Sequence, residues 1–538
     1  MFGLTQKTWF SIWLLFSVVI GILLLSLATE VERAVAIRTI GLGLSASLIA
    51  LPLGASIAWA CHGRGAASTA LLITTIATLL VPLFIHVSGW DAAFGKLGWL
   101  TSTRGQILVP LVSGWTAATW IHGIAAGPQV AMILLIGMSV GQRVYEEQAL
   151  LDTNSSGVFW NVTIKRIMPL LVLSTIWIVI TCAREIAVTD LYQIGTLSEQ
   201  IYLGYSLGLV STAGNWTAEQ LAEAGSVSNL LAVVMMLWLA MFAFLFFFRL
   251  TDLEYESQSV EPYRRGSSSW QRTFIACLLI VLLVVVPIGN VIVRACFYVR
   301  PVDGIPTQGY SLNQLIQSVR RSLLDYQIEF GWSFLIACSS ATLIVLLASL
   351  FAWNARRSRF VQALFALTLA FCCAIPGPFI GTSIAAAAAG VNNESFRWLY
   401  NYTIAAPVVA NLVFCWPVGA LVVWFIFRKI PLDALESSRV EGARGATRFF
   451  RFGVMGNWVA LTGCWLISFA CSFGELSASQ IVRPAGIDTV PRKMLGDLHA
   501  GVNELTAGIT IVTASTIVVV SLTGWWFIRL NRGAIGRQ

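Results

Sequence analysis

Apolar runs close to the length of a membrane span recur along the whole chain, separated by polar stretches that carry most of the Arg, Lys and Glu. They fall at 9–28, 37–60, 66–88, 111–140, 169–188 and 226–249, and again at 273–295, 331–354, 360–389, 402–427, 456–475 and 506–528. A hydrocarbon core of about 30 Å needs about twenty helical residues at about 1.5 Å each, so each run can cross a bilayer. The pattern predicts an all-α integral membrane protein with twelve transmembrane helices. The first run follows Lys7 and is longer than a typical signal-peptide core, which predicts a retained helix. The polar stretch 251–272, with Arg264, Arg265 and a Gly-Ser-Ser-Ser sequence, reads as a cytoplasmic linker between two sets of six.

Composition narrows the function classes. With 57% hydrophobic and 11% charged residues in 538, a soluble fold is excluded. The net charge of +8 sits beside apolar runs, where topology accounts for it, so no nucleic-acid partner is predicted. A cytoplasmic N-terminus puts most of the 34 Lys and Arg on the cytoplasmic side, against Arg320, Arg321, Arg492 and Lys493 outside. Both termini are then cytoplasmic, and the chain is a multi-pass plasma membrane protein in contact with lipid. The ten cysteines lack CxxC spacing and read as small core residues, and the four histidines are scattered, so no metal site is predicted. The nearest approach to a phosphate loop, Gly89 to Leu97, has the wrong glycine spacing and no Ser or Thr after Lys96. Nucleophile-elbow and zinc-protease motifs are also missing, so the chain is expected to bind no cofactor and to catalyse no covalent step.

The two sets of six repeat. Ala58-Trp59 recurs as Ala352-Trp353, 294 positions on, and Pro82 with Phe84-Ile85 corresponds, more loosely, to Pro376 with Phe379-Ile380. Pro128 matches Pro417 and Glu147 matches Glu436 at 289, and Glu185 matches Glu475 at 290. One small length change accounts for the series. Two parallel six-helix units, 1–250 and 273–538, follow from the even number of crossings in each.

Each unit carries a charged loop after its fourth run. The second, Pro431 to Met455, holds Glu436, Arg439, Glu441, Arg444, Arg448 and Arg451 between two apolar runs, so it must lie in water. Pro431 suits the first turn of a helix, Asp433 favours a helix N-terminus, and Gly442 can take the left-handed conformation that stops one. A second short helix, about Ala443 to Phe452, is predicted to follow. Ala434, Ser437 and Ser438 form a small-residue face that another protein could approach.

This loop resembles the EAA loop of binding-protein-dependent ABC importer permeases, whose pattern is Glu-Ala-Ala, three residues, Gly, nine residues, Ile-x-Leu-Pro. Glu436, Ser437, Ser438 and Gly442 fall on its first places, and Phe452, Val454 and Met455 on its last, with Met455 replacing Pro. The first loop, within 142–168, is a degenerate copy: Glu147, Gln148 and Ala149 on the Glu-Ala-Ala places, Asp152 next to Thr153, and Thr153 where Gly442 sits. Asn154 tolerates the left-handed conformation and is expected to end that helix one residue late. The resemblance implies that both loops, the second within 428–455, dock on a cytoplasmic ATPase. Two copies of that ATPase would use ATP and magnesium, and a periplasmic or extracellular binding protein would deliver the substrate across a bacterial inner membrane.

Arg184 and Glu185 close the fifth run, and Glu475 closes the eleventh. Charges at membrane depth are costly, which makes them functional candidates. Two readings stand: an interfacial Arg184–Glu185 ion pair that caps a helix, or a place in the translocation path or outer gate. Ala183 to Tyr202 and Phe473 to Lys493 are similar to the segments after the fifth helix in fused iron(III)-type permeases. That resemblance implies an iron(III) substrate, with thiamine or another small ion as alternatives. The acidic stretch Thr189 to Asn229 reads as a solvated outer loop that could also guide a cationic substrate or dock a basic face of a binding protein. The rival class is an ion-gradient-driven secondary transporter with two six-helix halves. It predicts a signature loop between helices two and three, where only 61–66 and 354–359 lie.

Overall fold

The computed structural model describes residues 30–63, 65–102, 113–139, 143–206, 270–302, 305–356, 358–391 and 393–535. The expected spans at 9–28 and 226–249, and most of the linker 251–272, lie outside the described residues. Eight described helices are long and apolar enough to cross a membrane, or up to ten spans if each of two bent pairs is counted as one.

In chain order the first described helices are α1 (Glu30–Cys61), α2 (Ala66–Thr78), α3 (Leu83–Phe94), α4 (Trp99–Ser102) and α5 (Gly114–Ser139). They are followed by α6 (Arg143–Asp152), α7 (Ser155–Val158), α8 (Ile164–Arg184), α9 (Ala187–Leu191) and α10 (Leu197–Ser206). After the linker come α11 (Trp270–Ile280) and α12 (Val286–Cys296), joined by a wide turn, so that this span begins earlier than expected. A hairpin of β1 (Phe297–Val302) and β2 (Ile305–Tyr310) pairs Phe297 with Tyr310 and Val302 with Ile305. Then follow α13 (Leu312–Asp325), α14 (Gln327–Ala355), α15 (Arg359–Ala374), α16 (Gly377–Gly390), α17 (Glu394–Tyr402) and α18 (Ala405–Arg428). The chain ends with α19 (Leu432–Val440), α20 (Gly445–Arg448), α21 (Trp458–Phe473), α22 (Val490–Ala500) and α23 (Glu504–Ile535).

The runs at 66–88 and 360–389 are not single spans. Each is broken: α2 and the α3 segment meet at 109°, and α15 and α16 at 99°. Both breaks end on a proline with extended backbone, Pro82 (φ −65°, ψ 153°) and Pro376 (φ −60°, ψ 144°). Proline has no N–H to continue the ladder and its ring pushes the preceding residue out of helical geometry, as at Ile375 (ψ 126°). Hydropathy averaged over the run hides this bend, because all the residues around it are apolar.

Close helix contacts use glycine. A Cβ on Gly127 of α5 would lie 2.5 Å from Leu53 of α1, and one on Gly54 of α1 would lie 2.5 Å from Val130 of α5. In the later bundle, a Cβ on Gly419 of α18 would collide with Ile344 of α14. Small residues at crossing points let apolar helices approach without side chains between them, which is how helices associate in lipid. All ten cysteines are free thiols and most are buried, in agreement with a packing role.

Candidate functional site

The second charged loop is built as a helix with a defined stop. Pro431 takes the N-cap place, one residue before α19 rather than in its first turn, and Asp433 lies in that first turn. At the other end, Gly442 has φ +85°. Its N–H donates to the Arg439 carbonyl at 3.0 Å and the Ala443 N–H donates to the Ser438 carbonyl at 3.0 Å. This is the paired C-terminal closure that a left-handed glycine makes available. Leu435 is buried among Trp353, Phe427 and Ile430, and so anchors α19 to the span ends. The small-residue face is split: Ser438 is buried with its hydroxyl on the Leu435 carbonyl at 2.9 Å, Ala434 is half-buried, and Ser437 is exposed beside Glu436. The expected second helix over 443–452 is shorter, Gly445–Arg448, and opens into a wide turn, Phe449–Val454. There the Asn457 amide donates to the Phe452 carbonyl at 2.8 Å.

The first loop takes a different closure. Glu147 and Ala149 lie on α6, Asp152 ends it and Thr153 follows. Gln193 is the sole non-glycine with positive φ among the described residues, so neither Thr153 nor Asn154 takes the left-handed form. Instead, the Asn154 Oδ1 accepts from the Gly157 N–H at 2.9 Å and starts α7. An Asn side chain that satisfies a free N–H favours a new helix start over a left-handed stop.

Two loop residues that sequence reading passed over stand out. Leu151 is 86% exposed and Val440 is 89% exposed, the highest values among the large apolar side chains described. They lie 289 positions apart, the same offset that relates Glu147 to Glu436. The available signal was an apolar residue at the end of a charged, water-facing helix.

Of the two readings for Arg184 and Glu185, the ion pair between them is not formed. Glu185 receives the N–H of Ala187 at 2.6 Å on one oxygen and that of Val188 at 3.1 Å on the other. Glu475 does the same with Ala478 at 2.6 Å and Ser479 at 3.0 Å. Each carboxylate thus caps the turn that follows its own span. A carboxylate bonded by two backbone N–H groups is well satisfied where it sits. Arg184 turns away from Glu185. Its Nε donates to the Ile375 carbonyl at 3.3 Å, its Nη2 to the Phe414 carbonyl at 3.1 Å, and its guanidinium lies 4.2 Å from the Phe414 ring centre. Arg184 and Glu475 are both buried, and the Arg184 charge acts on Glu475.

The segments after α8 and α21 gather at the two broken spans. A Cβ on Gly474 would collide with the Pro82 ring, and one on Gly377 with Ser477. The Tyr192 hydroxyl donates to Asp91 of α3 at 2.7 Å, and the Gln480 amide donates to the Tyr202 hydroxyl at 2.6 Å. His499 of α22 faces Asp190 of α9 at 3.4 Å. The stretch 189–206 is therefore not a solvated loop: Thr189, Thr196, Ser198 and Glu199 are buried. The rest of that stretch, 207–229, lies outside the described residues. Among the described residues no group of three or more His, Cys, Asp and Glu is placed to hold a metal ion.

The arrangement can hold two bent spans against two capped segments and expose two charged loops with apolar tips. No family model matches the chain, and no curated protein matches it.

Proposed function

We propose that the chain is the transmembrane permease subunit of an ATP-driven importer of the binding-protein-dependent type, made of two parallel six-helix repeats. The observation that carries this reading is the pair Leu151 and Val440: two equivalent loop helices, each with a fully presented apolar tip among charges. Two equivalent apolar tips on charged loop helices offer the same contact twice, which fits two copies of one partner. The order of elements supports the duplication. A long helix, a span broken at proline, a helix, a charged loop helix, a span and a carboxylate-capped turn occur as α1 to α9, and again from α14 through α21 to the Glu475 turn.

In this mechanism two ATPase subunits close on ATP, each bearing one loop, and the halves pivot about the contacts of Arg184 and Gly474. Substrate from a binding protein enters the path and is released inward after hydrolysis. Iron(III) is the substrate that the segments 183–202 and 473–493 favour, with thiamine as the alternative. The test is uptake into vesicles that contain the chain and its co-purified ATPase. ATP-driven uptake in wild type, with loss of the ATPase and of uptake in Leu151→Asp and Val440→Asp, supports the proposal. Retention of both in the two variants would overturn it.

The two broken spans favour a second reading, an ion-gradient-driven transporter, because such proteins build sites at discontinuous helices. Uptake that follows a proton or sodium gradient and ignores ATP would select that reading.

A further inference from the structure

The helix α13 presents three distinct faces, and only two are accounted for by the protein and by water. Leu312, Ile316, Val319 and Leu323 fall within an arc of about 60° at about 100° per residue. Leu312 is 73% exposed, Ile316 65% and Leu323 47%, with Val319 half-buried between them, so this apolar stripe faces largely away from the protein. The contact with the protein lies about 110° round the helix. There the Ser318 hydroxyl donates to the Ala295 carbonyl at 3.2 Å and the Ser322 hydroxyl to the Leu505 carbonyl at 3.1 Å. A Cβ on Gly508 would lie 2.6 Å from the Ser318 carbonyl oxygen, so α13 and α23 touch closely here. Asn313 and Arg321 are exposed on the remaining side.

The position of α13 says what covers the stripe. Its N-terminal end is tied to the end of the α12 span, where the Ser311 N–H donates to the Cys296 carbonyl at 2.9 Å. Its C-terminal end runs through Tyr326 into the start of the α14 span, and its serines touch the start of α23. Three span ends therefore meet at this helix. Because α12 leaves the bilayer and α14 re-enters it on the same side, α13 lies along that boundary. On the two spans that α13 joins, Ile292 of α12 and Ile328 of α14 are also exposed.

We propose that α13 is an interfacial helix whose Leu312–Ile316–Val319–Leu323 stripe rests in the bilayer surface, with the Arg320 guanidinium at the edge of the stripe among anionic headgroups and Arg321 on the water side. An amphipathic helix with basic residues beside an apolar stripe binds a lipid surface in this way. The contact would fix the level of the hairpin and of the α12 and α14 ends relative to the membrane. This inference rests on the membrane-spanning reading of α12 and α14, not on the importer proposal.

The test places the photoreactive residue p-benzoylphenylalanine at Ile316, Leu323, Asn313 or Arg321 of the full chain in native membranes, with Phe334 of α14 as the bilayer control. After irradiation, adducts are read by mass spectrometry. Phospholipid adducts at Ile316 and Leu323, close to the Phe334 level and several-fold above Asn313 and Arg321, are the expected result. Lipid adducts at Phe334 with protein adducts, or only background, at Ile316 and Leu323 would overturn the surface helix while leaving the spans intact. Absence of lipid adducts at Phe334 would overturn the membrane-spanning reading and this inference with it.

Discussion

The Arg184 guanidinium is bound to the Ile375 carbonyl, 191 positions away, at the residue where the second broken span turns. Ile375 can offer this carbonyl because Pro376 forces it out of the helix, which leaves the oxygen without an intrahelical partner. The fork-shaped side chain also reaches Phe414 and lies over its ring. Lysine cannot reproduce that geometry. Arg184→Lys is expected to destabilise the detergent-solubilised protein by about 1–3 kcal/mol, the cost of leaving buried polar groups unpaired. Thermal unfolding checks this. A variant as stable as wild type would show that the contact does not hold the break.

Gly474 precedes Glu475 as Arg184 precedes Glu185, and it packs against the other break, at Pro82. A methyl group there has no room. Gly474→Ala is expected to cost about 1–3 kcal/mol by overpacking, while Gly331→Ala, which meets nothing within 4 Å, is expected to be neutral or stabilising. Comparison of the two thermal midpoints separates the collision from the general effect of alanine. Equal midpoints would mean that the break shifts freely to admit a side chain.

Much of the bundle was legible because hydropathy needs no tertiary knowledge: the run at 402–427 is the helix Ala405–Arg428, and that at 506–528 lies within Glu504–Ile535. The bends at Pro82 and Pro376 were missed because a span-length average discards the one residue that matters, although both prolines were already noted as a matching pair. Gly442 was legible since a local left-handed stop depends on its own sequence. Asn154 was misjudged because its side chain had two local options, and the free N–H of Gly157 decided between them. The partners of Arg184 could not be read at all. They are carbonyls, which every residue has, and only the fold selects Ile375 and Phe414.

Gly442 can be tested apart from any partner. Its φ of +85° is one that L side chains rarely adopt, yet no atom lies within 4 Å of a Cβ there. Gly445, just inside α20, also has an open Cβ position but lacks the unusual φ. Gly442→Ala is therefore expected to cost about 1–2 kcal/mol of backbone strain that Gly445→Ala does not. If the proposed importer function holds, Gly442→Asp, with the same strain and an added charge at the loop, is expected to abolish transport while the protein stays inserted. Transport at the normal rate in Gly442→Asp would remove the loop from the coupling route.

Asp190 joins the segment after α8 to α22 through His499 at 3.4 Å. Burial raises the Asp190 carboxyl above its ordinary value of 3.8, and the nearby His499 pulls it back only in part. The sign follows from linkage. A carboxyl whose folded pKa lies above its unfolded value contributes stability that is fully present below 3.8 and is lost as pH rises through the folded value. Wild type is therefore expected to lose stability over this window, whereas Asp190→Asn has no such proton to release. The two thermal midpoints should nearly coincide near pH 4 and separate in favour of the variant towards pH 7. In a His499→Gln background the separation should grow, since the opposing charge is gone. A midpoint difference that stays constant with pH would show that Asp190 titrates alike in the folded and unfolded chains, and that its burial is matched by its partners.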